Sequence, residues 1–107
     1  MTWEVKIHPL VFSEDFKDID NADAKMIVKA IRKKLSVNPM EYGSPLKNNL
    51  KGLCKLRVDF YRVIYQVNSN KIIVLVAKVG KRKDFEVYDE VPKRMKRIAD
   101  EQSTELS

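Results

Sequence analysis

Several protein classes are excluded by what this chain lacks. It holds one cysteine, Cys54, and one histidine, His8. A single thiol excludes an internal disulfide. Without a Cys/His cluster there is no zinc site to propose. No Asp/Glu cluster suggests a two-metal nuclease. No apolar run approaches the roughly 20 residues of a bilayer span. Trp3, Glu4, Lys6 and His8 interrupt any apolar run at the start, so no secretory signal is expected. There is no internal repeat, low-complexity tract or linker. These absences predict one cytoplasmic domain over residues 1–107, with no metal, no cofactor and no membrane contact.

Carboxylates are also in deficit. The 107 residues hold 21 Lys+Arg against 15 Asp+Glu, a formal net charge of +6. Such an excess favours a polyanionic partner, either nucleic acid or an acidic protein. The charge is unevenly spread. Residues 47–97 are strongly cationic, while residues 13–23 carry most of the early acids. Residues 100–107 are acidic and polar, and are expected to fray.

Periodicity predicts the order β-α-α-β-β-β-α. Trp3-Glu4-Val5-Lys6-Ile7 alternates as a half-buried strand does. Pro9 stops it and suits a first helical turn. Residues 10–19 read as a short helix with Phe12, Phe16 and Ile19 on one apolar, core-facing stripe. Asp20-Asn21 reads as a turn and N-cap. Residues 22–35 then give the strongest helical pattern, with Ile27, Ala30, Ile31 and Leu35 in register. Helices joined this closely are expected to pack as a hairpin. Residues 37–51 read as a plain connection, broken by Pro39, Gly43 and Pro45.

From Leu53 on, strands follow in close succession. Cys54, Leu56 and Val58 alternate with Lys55, Arg57 and Asp59. Residues 61–67 alternate again, placing Arg62, Ile64 and Gln66 together. After a turn at residues 68–71 comes an apolar run, residues 72–77, suited to an interior strand. Three such strands imply an antiparallel meander. Two helices are expected to cover one face and leave the other partly open. Asp89 is expected to cap a last helix with Pro92 in its first turn. Val91, Met95 and Ile98 would dock, with Lys93, Arg94, Lys96 and Arg97 mostly facing water.

The cations are expected to converge. Lys55 and Arg57 share a strand face, Arg62 follows on the next strand, and Arg82 and Tyr88 come from the exit of the third. Cations placed in this way can stabilise a phosphorane, as RNA cleavage by its own 2′-hydroxyl requires. The usual neutral-pH acid–base, histidine, occurs only as the remote His8, which reads as a helix-start or surface residue.

The segments Leu50-Lys51-Gly52, Lys55-Leu56-Arg57, Tyr61-Arg62-Val63-Ile64-Tyr65-Gln66-Val67, Val79-Gly80-Lys81-Arg82 and Glu86-Val87-Tyr88 together resemble the RelE toxins of bacterial and archaeal toxin–antitoxin systems. The resemblance implies a compact α+β domain: an antiparallel sheet, an N-terminal helical hairpin on one face and a C-terminal helix. It implies a metal-independent endoribonuclease that cleaves translated messenger RNA in the ribosomal A site. It also implies a cognate RelB-like antitoxin that wraps the domain and disturbs its last helix. By the same resemblance Lys55 is the general base and Arg57 adds charge. Arg62 binds phosphate, Arg82 serves the leaving group and Tyr88 orients the RNA. Lys47, Lys51, Lys81 and Lys83 are expected to steer RNA or the ribosome. Leu53 stands where a second lysine is expected beside Lys55, so a Leu53→Lys change is expected to raise cleavage. Two alternatives share the scaffold: a non-enzymatic DNA gyrase poison like the related ParE group, and an inactive antitoxin-binding member.

Overall fold

The computed structural model of the chain describes residues 2–47, 50–81 and 86–106. Strand β1 (Glu4–Ile7) leads into helical turns at Val11–Asp15 and Phe16–Asp18. Then come α1 (Asn21–Leu35), α2 (Pro39–Tyr42), β2 (Ser44–Pro45), β3 (Leu53–Val58), β4 (Tyr61–Asn68), β5 (Ile73–Lys81) and α3 (Glu86–Leu106). The strands form one sheet in the order β1-β5-β4-β3-β2. Strands β3, β4 and β5 make the expected antiparallel meander, and β1 joins it in parallel beside β5.

The main core lies between α1 and one sheet face. Ile27, Ile31 and Leu35 sit four residues apart on α1 and are wholly buried. They belong to one cluster with Leu56, Val63, Tyr65, Val74 and Val76. Burying an aliphatic side chain of this size contributes about 1.5–3 kcal/mol. Asp23 on α1 accepts a 2.8 Å hydrogen bond from the Tyr61 hydroxyl and ties the helix to the β3–β4 hairpin. That hairpin turns in two residues, and Asp59 takes the left-handed conformation the turn needs (φ 55°).

The opposite face is less open than its charge pattern suggests. Val91 of α3 packs with Leu50, Leu53 and Ile64, and Met95 and Tyr88 lean on the same cluster. A bulge makes this arrangement possible. Ile64 pairs with Lys78 but Tyr65 pairs with Val76, which leaves Ala77 unopposed. The extra residue turns Lys78 onto the α3 face while Val79 returns to the main core.

Three expectations change. Residues 37–51 are more than a connection, because they form the short helix α2 and the strand β2, which is the sheet's fifth. There the chain approaches so closely that any side chain at Gly43 would meet the Tyr65 hydroxyl. That hydroxyl donates to the Pro39 carbonyl at 2.6 Å. Second, Phe12 is not core: it is 48% exposed, and Val11 is buried in its place. The cause is a wide turn in which the Phe16 N–H reaches back five residues to the Val11 carbonyl. That spacing breaks the stripe expected from a regular helix, although Phe12 still packs edge-on against Phe16 at 5.5 Å. Third, α3 includes Tyr88 and carries Pro92 inside it. With no N–H, Pro92 cannot bond the Tyr88 carbonyl, which loosens the first turn from the rest. The helix α3 extends to Leu106. Glu101, Gln102 and Glu105 are good helix formers.

Arg94 is the largest departure, since it is buried and does not face water. Strand β1 ends at Ile7, ahead of Pro9, so among the described residues β5 runs on past Val76 without a strand neighbour on that side. Side chains take the missing strand's place. Asp15 accepts from the Val79 N–H at 2.9 Å, and Arg94 donates to the Ala77 carbonyl at 3.0 Å. The two also pair with each other through two bonds of 2.8 and 2.9 Å. Lys78 bridges Asp15 at 3.4 Å and Glu90 at 2.9 Å. Outside them, Arg97 donates twice to Glu14, at 2.6 and 2.9 Å. That pairing holds the Glu14 carboxyl below its ordinary range.

Candidate active site

Strand register brings three of the five expected catalytic residues together. Arg57 lies directly opposite Arg62 across the β3–β4 ladder. Lys55 lies two residues from Arg57 on the same face, opposite Ile64. Directly opposed side chains in such a ladder have Cβ atoms roughly 4.5–5.5 Å apart, and like charges so placed destabilise the pair. Among the described residues, neither Lys55, Arg57 nor Arg62 forms an ion pair. An anion between them would relieve the repulsion.

Tyr88 completes the group from α3. Its hydroxyl accepts a 2.8 Å hydrogen bond from Arg62 Nη1, and the guanidinium lies 5.1 Å from the ring centroid. Tyr88 therefore holds Arg62 in this structure, where it was expected to engage RNA. Among the described residues, the buried Nε of Arg62 has no partner. A buried donor left unpaired costs about 1–3 kcal/mol, so it marks a place where a ligand oxygen would be favoured.

The other expected residues are spread more widely. Lys47 and Lys51 are exposed beside the Leu50-Lys51-Gly52 turn, where Gly52 takes a φ of 96°. Lys81 ends β5 opposite Tyr61, one residue beyond the Gly80–Arg62 pair. Arg82 and Lys83 lie outside the described residues. His8 accepts the Leu10 N–H on its Nδ1 at 3.1 Å and so serves as a helix-start residue, as read from the sequence. Leu53, in place of the second lysine, is 7% exposed under α3. A lysine there would enter the second core before it reached the site. Burial raises the Cys54 thiol above its ordinary value, which suits an inert core residue. Among the described residues no group of His, Cys, Asp and Glu is placed to hold a metal ion. Among them, too, no helix is long and apolar enough to cross a membrane.

Residues that sequence reasoning missed lie at both ends of this face. Lys78 is hidden by its apolar neighbours in the chain, and only the bulge reveals which way it points. At the outer edge of β3, Lys34, Tyr42 and Ser44 line a cleft with Lys55, Leu56 and Arg57.

A small α+β domain with a cluster of cations facing an open surface is of the class that handles a polyanion. Comparison with known proteins narrows this class. Residues 5–84 match the family model described as the ParE toxin of type II toxin–antitoxin systems, parDE. The mRNA interferase toxin RelE of Escherichia coli is 41% identical over 70 residues, covering 61% of this chain and 73% of its own length. Among solved structures, a RelBE2 toxin–antitoxin complex from Mycobacterium tuberculosis contains a similar chain (TM-score 0.72, 23% identity, 78% and 95% of the two chains). So does the archaeal RelE–RelB complex of Pyrococcus horikoshii (TM-score 0.60, 26% identity, 78% and 98%). The chain belongs to the RelE/ParE family of type II toxins.

Proposed function

We propose that this protein is the toxin of a type II toxin–antitoxin system and an endoribonuclease that cleaves messenger RNA and so stops translation. The relation to mRNA interferases of the RelE type supports the activity. The observation that carries the site is Arg62, held by Tyr88, facing Arg57 across the ladder and left with an unpaired Nε. In the proposed reaction the RNA's own 2′-hydroxyl attacks the adjacent phosphorus. The O2′–P bond forms as the P–O5′ bond breaks, leaving a 2′,3′-cyclic phosphate. Arg57 and Arg62 neutralise the charge that builds on the non-bridging oxygens. Lys55 is the proposed acceptor of the 2′-hydroxyl proton, and Arg82 serves the departing 5′-oxygen. Tyr88 fixes the Arg62 guanidinium and, once released from it, offers a ring to a base.

The proposed contacts are to phosphate, which positions a strand without reading its sequence. In the proposed setting the ribosome supplies the path of the message and its A site presents the scissile step. A RelB-like antitoxin is the proposed partner; the RelE–RelB pair from Pyrococcus horikoshii supports this. The loosened first turn of α3 is the element it would disturb. Cleavage of a translated message, mapped by primer extension with and without ribosomes, tests the activity. Arg62→Ala and Arg82→Ala are each expected to slow the cut at least about a hundredfold and relieve growth arrest. Full toxicity of the double variant would sink the assignment. Inhibition of gyrase supercoiling with messages intact would place the chain with the ParE-like gyrase poisons instead.

A further inference from the structure

The two outer strands of the sheet are both short, and each leaves part of its neighbour uncovered. On the β1 side the uncovered stretch of β5 is sealed by Asp15 and Arg94. On the other side β2 opposes only Cys54 and Lys55, so β3 continues to Val58 as an edge without a strand partner. Folded proteins normally block or cover such an edge. Here the edge opens into a cleft of about 330 Å³. Three cations line it: Lys34 from the last turn of α1, and Lys55 and Arg57 from β3. Among the described residues, none of the three forms an ion pair and no carboxylate lines the cleft. Tyr42, at the end of α2, stands beside them 53% exposed.

We infer that this edge cleft is a second RNA-binding subsite, which takes a backbone phosphate on Lys34 and stacks an adjacent base on Tyr42. The inference rests on the endoribonuclease reading and extends the same site. Lys55 and Arg57 line the cleft and also share the Arg62 face, so one strand of RNA can run from the reacting phosphate around the open edge without leaving positive charge. An exposed aromatic ring beside a cationic groove is the usual arrangement for binding single strands. An acidic protein would also meet the charge. However, the cleft wall offers it little apolar surface to bury, Leu56 being almost wholly covered.

The test is single-turnover cleavage of a translated message in a reconstituted system at varied toxin concentration, with wild type, Arg62→Ala, Lys34→Ala, Tyr42→Ala and Tyr42→Phe. Lys34→Ala and Tyr42→Ala are expected to raise the half-saturating concentration about tenfold, with the maximal rate unchanged within about twofold. Lys34→Ala is also expected to flatten the salt dependence of the half-saturating concentration, by about 0.7 in log–log slope for one single-strand phosphate contact. Tyr42→Phe keeps the ring and should behave as wild type. Thermal melts of each variant separate these effects from misfolding. If wild type fails to cleave, the endoribonuclease reading falls and takes the subsite with it. If wild type cleaves and Arg62→Ala does not, but Lys34→Ala and Tyr42→Ala match wild type, the subsite alone is wrong. It is equally wrong if these two variants lose only affinity for an antitoxin chain.

Discussion

The two uncovered sheet edges show opposite treatments of charge. Beside β5, Asp15 and Arg94 are each 4% exposed in their side chains and bond both each other and the strand's spare backbone groups. Lys78 joins them, bridged to Asp15 and Glu90. Beside β3, Lys34, Lys55 and Arg57 gather with no carboxylate among them. The first cluster is closed because its charges satisfy one another, so it holds α3 against the sheet. The second is open because its charges are all of one sign, so it awaits an anion. A raw count of Lys and Arg does not distinguish them.

The sharpest way to break this comparison is to open the closed edge. Arg94→Met leaves the Asp15 carboxylate buried with only Lys78, the Val79 N–H and Arg94's former space around it. Removing one partner of a buried pair typically costs about 3–5 kcal/mol, to be read from urea denaturation. Asp15→Asn should cost a similar amount, and the double variant clearly less than the sum. Strict additivity would mean that the two side chains do not act as one lock.

At the open edge the large effect should fall on activity. Arg62→Ala is expected to lower the cleavage rate about 10²–10³-fold, the range for losing one preorganised donor to a developing oxyanion. Its melting temperature should fall less than that of Arg94→Met. Leu53→Lys tests the border between the site and the second core. The substitution adds the charge expected beside Lys55 but removes an apolar contact under α3. A loss of about 2–3 kcal/mol is expected from the lost burial, measured by denaturation alongside cleavage. A faster enzyme of unchanged stability would show that the second lysine was simply missing.

The smallest effect is a pH dependence. The hydrogen bond to Asp23 raises the Tyr61 phenol above its ordinary 10.0, and burial raises Tyr65 as well. Burial likewise raises the Cys54 thiol above 9.0. The folded chain holds these protons more tightly than the unfolded chain. Their contribution is therefore fully present below about pH 9 and is lost as pH rises through the folded values. Glu14 acts in the opposite sense: its lowered value stabilises the fold above 4.5 and is lost as pH falls through its folded value. Melting temperatures of wild type and Tyr61→Phe between pH 8 and 11 check the alkaline limb, where the variant should decline less steeply.

Much of the architecture was legible in local pattern. The four-residue spacing of Ile27, Ile31 and Leu35 predicts a buried helix face, and the alternation around Arg62 predicts the strand that carries it. Lys55, Arg57 and Arg62 were therefore placeable on one face before the fold was known. The places where local pattern misled have two causes. Helical period places Phe12 in the core and Arg94 in water, but a five-residue turn displaces the first and an uncovered carbonyl on β5 draws in the second. The first is a backbone irregularity around Phe12 itself that a regular period does not record; the second lies 17 residues away on another element.

By itself, then, the sequence determined α1 and the meander, because periodic burial is written residue by residue. It also determined which cations share the β3–β4 face, because strand alternation settles that. Only the tertiary structure decided which charges are paired and which are left open. That depends on where β1 and β2 end against longer neighbours, and on the bulge at Ala77 that turns Lys78 toward α3. Pairing two charges 79 residues apart, as in Asp15 and Arg94, is a matter of which edge lacks a strand, and no local pattern records it.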